Sequence, residues 1–337
     1  MTNTMLIGWK VETTYGTNAF TTPATDQAYE FGDYLDKHEI PLPWNEIPLT
    51  AVYRLGQVLP VNLYEGAKNV EFTITFCPLH GYFWKWALGT VSGGATAVFK
   101  SAKGTTTDLS LPSLSIYIET EFGDHLYVLG CVVQSVDFFG DKDLPMQVTL
   151  KILGAECTTG TALTNKTLIN PASLAITKAW GWKDTDTALI DAHDVDPLDD
   201  PDVGGIQRVH LHVENILKKR TTTKVVQVQK TGEAVVFTMD VASTSATVDN
   251  EILKACRAEE TNDFQYKWLS GAYYWILNVN NLKLRSGPKA TQKHGAGDPP
   301  VYTLSGSASY DSTRTDVDTT YLKNAVAVKI SDGHTYA

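Results

Sequence analysis

The chain has 337 residues, 43% of them hydrophobic, enough to bury one large core or two ordinary ones. Charged residues make up 20%, and a formal net charge of -10 excludes the basic surface by which proteins grip nucleic acid. The start MTNTMLIGWK lacks the charged head and apolar run of a signal peptide, and no window approaches the roughly 18 apolar residues of a membrane helix.

Cys77, Cys131, Cys157 and Cys256 are scattered without a CxxC spacing, which predicts thiols kept reduced in a cytoplasm rather than a disulfide framework or a zinc site. The sequence therefore reads as a soluble protein. Charge is uneven along it. Residues 1–165 hold 9 Lys and Arg against 17 Asp and Glu (-8), residues 166–202 hold 3 against 8 (-5), and residues 203–337 hold 16 against 13 (+3). Opposite signs at the two ends favour head-to-tail association.

Residues 1–56 are rich in glycine and proline, yet they carry Trp9, Tyr15, Phe20, Tyr29, Phe31, Tyr34, Trp44 and Tyr53. A disordered arm does not carry so many large rings. The arm is expected to order against its own domain or a neighbouring chain. From Gln57 the pattern is regular: Val70, Phe72, Ile74 and Phe76 alternate with Glu71, Thr73 and Thr75 as a half-buried strand. Leu79, Tyr82, Phe83, Trp86 and Ala87 then fall at helical spacing, and Gly89 supplies the stop.

Three strands follow between Leu114 and Gly154. The first sets Leu114, Ile116 and Ile118 against Ser115, Tyr117 and Glu119; the third sets Val148, Leu150 and Ile152 against Gln147, Thr149 and Lys151. Each predicts one buried face and one facing solvent or a polar partner. The middle strand has Val128, Val132 and Val136 on one side and Leu129, Cys131 and Val133 on the other, so something covers its first half twice.

An acidic stretch, residues 166–205, separates this part from the rest. Its Asp194, Asp196, Asp199, Asp200 and Asp202 are oxygen donors of the kind that hold calcium, but their spacing fits neither the EF-hand loop nor the glycine-aspartate nonapeptide, and a solvated linker accounts for them better. After it, the order strand, strand, short helix, strands recurs. Val209, Leu211 and Val213 oppose Arg208, His210, His212 and Glu214; Val235, Phe237, Met239 and Val241 alternate with Thr238 and Asp240; a helix is predicted from Asp249 past Cys256; strands follow to the end. Matching pieces lie roughly 150 to 170 residues apart, a pattern-level duplication. The division expected is a first β-domain over 1–165 with an arm over 1–56, a linker over 166–205 and a second β-domain over 206–337.

Catalytic patterns are scarce: no Walker A, GxSxG, HExxH or strand-GxGxxG-helix unit is present. His210 and His212 share a strand face without a third ligand at a set spacing, so two exposed histidines are expected. HGAGDPP, at residues 294–300, joins two predicted strands and reads as a hairpin loop. Glu119 and Glu121 stand two apart on a strand, the one hint of a glycosidase carboxylate pair.

The opening GWKVETTYGTNAF, the WKWALG that ends the helix, the block YVLGCVVQSVDFFG with VTLKILG, and the closing YLKNAVAVKISDG resemble, in that order, the tail tube proteins of long-tailed bacterial or archaeal viruses, in a duplicated-domain form. The resemblance implies a mainly β fold: two tandem β-sandwich or small-barrel domains, each with a short flanking helix, and long loops. It implies a structural virion protein of the tail, not an enzyme and without a cofactor, assembled in the host cytoplasm. Its partners would be copies of itself, in trimeric pseudo-hexameric or hexameric rings stacked into a tube, and other tail proteins. Double-stranded DNA would pass through without specific binding, and no membrane insertion is implied. Glu71, Thr73, Thr75, Thr238 and Asp240 would line the lumen, while Tyr29, Phe31, Tyr34 and Trp44 would contact the next ring. A carbohydrate-binding β-sandwich is the alternative, a glycoside hydrolase a more distant one.

Overall fold

Alternating sequences pleat with one face in and one face out, and the strands so made form three sheets. The computed structural model describes residues 4–33, 43, 49–52, 62–65, 69–93, 96–101, 111–141, 144–168, 183–191, 206–221, 226–242, 262–270, 272–284, 289–291, 301–310, 324–333 and 336. The central sheet runs β5 (Val70–Pro78), β10 (Gln147–Gly154), the carboxyl-terminal half of β9 (His125–Asp141), β13 (Ile206–Thr221), β14 (Val226–Ala242), β18 (Val301–Ala308) and β17 (Lys289–Thr291). All its pairings are antiparallel. A two-residue strand, β2 (Gly32–Asp33), adds to the far end of β5.

A second sheet runs β1 (Thr4–Val11), β8 (Leu114–Thr120), the first half of β9 and β11 (Glu156–Thr159). The third runs β12 (Lys183–Asp191), β15 (Asn262–Ser270), β16 (Tyr273–Leu284), β19 (Val326–Ser331), β7 (Ala97–Ser101) and β6 (Gly89–Ser92). β3 (Leu49–Val52) and β4 (Asn62–Glu65) pair as a separate ribbon.

The central and third sheets face each other as a sandwich. Phe138 meets Trp268 edge-on at 5.3 Å, and Phe237 meets Phe264 at 4.5 Å. The helix α1 (Tyr82–Leu88) plugs this interior with Phe83, Trp84 and Trp86, and Phe83 reaches Trp275 at 6.0 Å. Gly89 ends the helix in the left-handed conformation that its lack of a side chain permits, with its N–H on the Lys85 carbonyl. The second helix, expected near residues 249–256, lies outside the described residues.

Two long strands change sheets, and each does so at a left-handed residue. In β9 it is Gly130 (φ 63°), where a Cβ would stand 2.9 Å from that of Ala155 and 3.1 Å from the Tyr15 ring. Its N–H is held by the buried Glu12 carboxylate at 2.8 Å. In β16 it is Asn281 (φ 52°), whose N–H is held by the buried Asp263 at 2.9 Å. A carboxylate thus takes the backbone donor at both bends.

The pairing order also repeats. β1–β8–β9–β11 is matched by β12–β15–β16–β19, and β5–β10–β9 by β14–β18 followed by β16 and β17. The two parts of the chain interlock: β9 pairs with β13, β7 pairs with β19, and one apolar cluster holds residues from Ile7 to Tyr336.

β8 is buried along its whole length, and its second face meets polar partners and rings rather than solvent. The chain itself covers both faces. Tyr117 packs with Phe20, Tyr127 and Leu163, and Leu129 of β9 rests on this same cluster. Ser115 donates to Glu12 at 2.9 Å, and Glu119 is paired with Lys166. The double cover of β9 therefore comes partly from the arm.

Candidate functional site

The five residues expected to share a wet surface lie on one face of one sheet. On β5, Glu71, Thr73 and Thr75 are exposed between buried Val70, Phe72, Ile74 and Phe76. On β14, Thr238 and Asp240 are half-exposed between buried Phe237, Met239 and Val241. Cross-strand register carries this face through the three intervening strands, because directly opposed residues of neighbouring strands point the same way. Thr75 stands opposite Thr149, Thr149 opposite Asp137, Asp137 opposite His212; Thr238 stands opposite His210 and, on its other side, Ser305.

The face is largely polar, with Phe139 opposite His210 and Val236 opposite His212 as apolar members, and several of its side chains are bonded to one another. Thr75 and Thr149 share a hydrogen bond of 2.9 Å, Thr238 donates to Ser305 at 3.1 Å, and Thr303 donates to Asp240 at 2.7 Å. The carboxylates Glu71, Asp137, Asp141, Glu214 and Asp240 stand beside the bases Lys151, Arg208 and Lys283, and Lys289 takes a register position on the same face opposite Thr303. Lys151 is paired with Glu71, and Arg208 with Asp141 at 3.2 Å, with Asp240 at 4.0 Å. A polyanion brought to this surface meets Lys151 and Arg208 already engaged, while Lys283 is exposed.

At the middle of the face, Asp137 joins the two histidines. One of its oxygens, Oδ1, accepts from His210 Nε2 at 2.9 Å and from His212 Nδ1 at 2.8 Å, which makes those two nitrogens the protonated ones. His210 also stacks on Phe139 at 4.1 Å. Partial burial raises the Asp137 carboxyl, but the hydrogen bonds and charges of the two imidazoles outweigh it and hold the group below the usual carboxylate range. The histidines were legible in the sequence, but the aspartate that unites them was not.

Among the described residues no group of three or more His, Cys, Asp and Glu side chains is arranged to hold a metal ion. The acidic run from Asp194 to Asp202 and Cys256 lie outside the described residues; Cys77 and Cys131 are buried thiols, and Cys157 is half-buried. Of the glycosidase pair, Glu119 is buried against Lys166, whereas Glu121 is exposed in the turn that follows β8.

The four aromatic residues expected to reach a neighbouring ring fare differently. Phe31 is fully buried, packed on Phe76 at 5.7 Å and Trp86 at 5.6 Å, so its ring has no surface left for another copy. This corrects the expectation for Phe31, and the cause is the open side of α1 that the arm fills. Tyr29 is half-buried on Trp9 at 5.0 Å, its backbone bonded to that residue in both directions. The Glu30 carbonyl takes hydrogen bonds from Trp9 Nε1 at 2.8 Å and His80 Nε2 at 2.9 Å, His80 Nδ1 being occupied by the Tyr82 N–H. Tyr34 and Trp44 lie outside the described residues.

The sequence matches no family model and no curated protein.

Proposed function

We propose that this chain is a structural subunit of a viral tail tube, that it carries two repeats of one β-unit, and that its central sheet turns its polar face toward the lumen through which DNA passes. One observation carries the reading. Residues 71–75 and 238–240, picked out in two separate parts of the sequence, sit on a single broad face whose carboxylates engage Lys151 and Arg208. A wall that passes a polyanion should not bind it through phosphate contacts, since each free Lys or Arg adds affinity and slows movement. Glu71, Thr73, Thr75, Thr238 and Asp240 would then keep the duplex hydrated and mobile.

The repeated pairing order supports the duplication, and two repeats per chain would let three copies make a ring of pseudo-six-fold symmetry. Negative-stain images of the purified protein test the reading. Rings or stacked tubes with an open centre are expected; discrete globular particles at every concentration and salt condition would count against it.

A further inference from the structure

The charge of the polar face is not even across the central sheet. Its carboxylates stand on β5, β9, β13 and β14, whereas the outer edge, made along β18 by the end of β16 and by β17, holds lysines. Lys283 is exposed opposite Ser307, and the register row through it passes Val236 and His212 before it meets a carboxylate at Asp137, four strands or about 19 Å away. Lys289 takes the position opposite Thr303. In its row the nearest carboxylate, Asp240, accepts from Thr303 at 2.7 Å and lies 4.0 Å from Arg208. In the sequence, residues 283–293 hold Lys283, Arg285, Lys289 and Lys293 and no Asp or Glu, in a chain of net charge -10.

The two proposed repeats differ at this place. Lys289 opposes Thr303 as Asp137 opposes Thr149, so where the first repeat has a carboxylate the second has a lysine. We infer that this lysine edge is a binding site for the phosphate backbone of double-stranded DNA, occurring once per chain, beside a face that otherwise leaves the duplex free. This rests on the proposal that the face lines a tube, and it names where the wall touches its cargo. Thr303 and Ser307 are four residues apart on β18, which sets the two lysine positions about 13 Å apart along one line. A duplex carries one charge about every 1.7 Å of its axis, so a pair of lysines at this spacing reaches phosphates of one molecule. So few contacts give weak, salt-sensitive binding that carries no sequence information. Such a site retards the duplex without gripping it. In a ring of three chains the contact lines would number three rather than six, because Asp137 holds the matching place in the other repeat.

The experiment measures binding of a short, blunt, fluorescently labelled DNA duplex to full-length assemblies by anisotropy over a series of salt concentrations, with the same samples viewed in negative stain. Weak binding is expected, its affinity falling as salt rises. Lys283→Gln and Lys289→Gln should each make the slope of log K against log salt shallower by about 1. Lys329→Gln, on β19 of the third sheet, should leave that slope unchanged. Rings that bind no duplex at low salt, or that bind it with one slope in wild type and all three variants, would overturn the inference while leaving the ring proposal standing. Binding of labelled polyglutamate in place of the duplex would overturn it too, by assigning the edge to an acidic protein. A chain that makes no rings removes both.

Discussion

Glu12 shows how much one side chain of the opening motif does. It is 7% exposed and accepts three hydrogen bonds: from the Gly16 N–H at 2.8 Å, the Ser115 hydroxyl at 2.9 Å and the Gly130 N–H at 2.8 Å. These tie the arm to β8 and to the bend of β9, and Ser115 in turn receives the Ala19 N–H at 3.0 Å. Removing the carboxylate strands buried donors, each costing about 1–3 kcal/mol when left unmade. Glu12→Ala should therefore lower the unfolding free energy by about 3 kcal/mol, and Glu12→Gln, which keeps one acceptor, by less. Urea denaturation followed by tryptophan fluorescence reads both. An unchanged midpoint in Glu12→Ala would show that the network adds nothing. The Glu-Thr-Thr-Tyr-Gly string was visible in the sequence as a motif, but its task was not, because Ser115 and Gly130 are brought to it only by the fold. Phe31 was misread for a related reason: a large ring in a glycine-rich arm predicts burial without saying against which chain.

At the level of elements, the seam between β9 and β13 is the place where the first part of the chain meets the second in the central sheet. Its polar side is a run of complementary pairs, Asp141 with Arg208, Phe139 with His210, and Asp137 with both histidines. Because Asp137 is held below the usual carboxylate range, the stability it contributes is complete above the unfolded value of about 3.9 and is lost as pH falls through the lower folded value. Its side chain is 27% exposed, so solvent screening trims the effect to about 1 kcal/mol. Asp137→Asn should be less stable than wild type by that amount at pH 7, and the gap should close in acid below the ordinary carboxylate range. A gap that persists unchanged to pH 2 would assign the loss to packing rather than charge. The alternation of β5, β10, β13 and β14 was readable locally, and so was the helix with its Gly89 stop. Which strands pair was not. Asp137 and His210 are 73 residues apart, and nothing in a period-two pattern names the partner strand. The cover over the second face of β8 escaped local reading for the same reason, since it comes from Phe20 and Leu163.

For the whole molecule, the central claim is that one chain supplies two repeats of a tube wall. The repeated order of strand pairing, the left-handed bends of β9 and β16, and the single polar face spanning β5 to β18 all bear on it. Opposite charge balance in the two parts, -8 over residues 1–165 and +3 over residues 203–337, would set unlike signs side by side at each lateral contact of a ring built this way. The most direct measurement is the mass of isolated rings by native mass spectrometry. The account predicts three chains of 37.0 kDa in each ring, six repeats in all. Six chains per ring would contradict it.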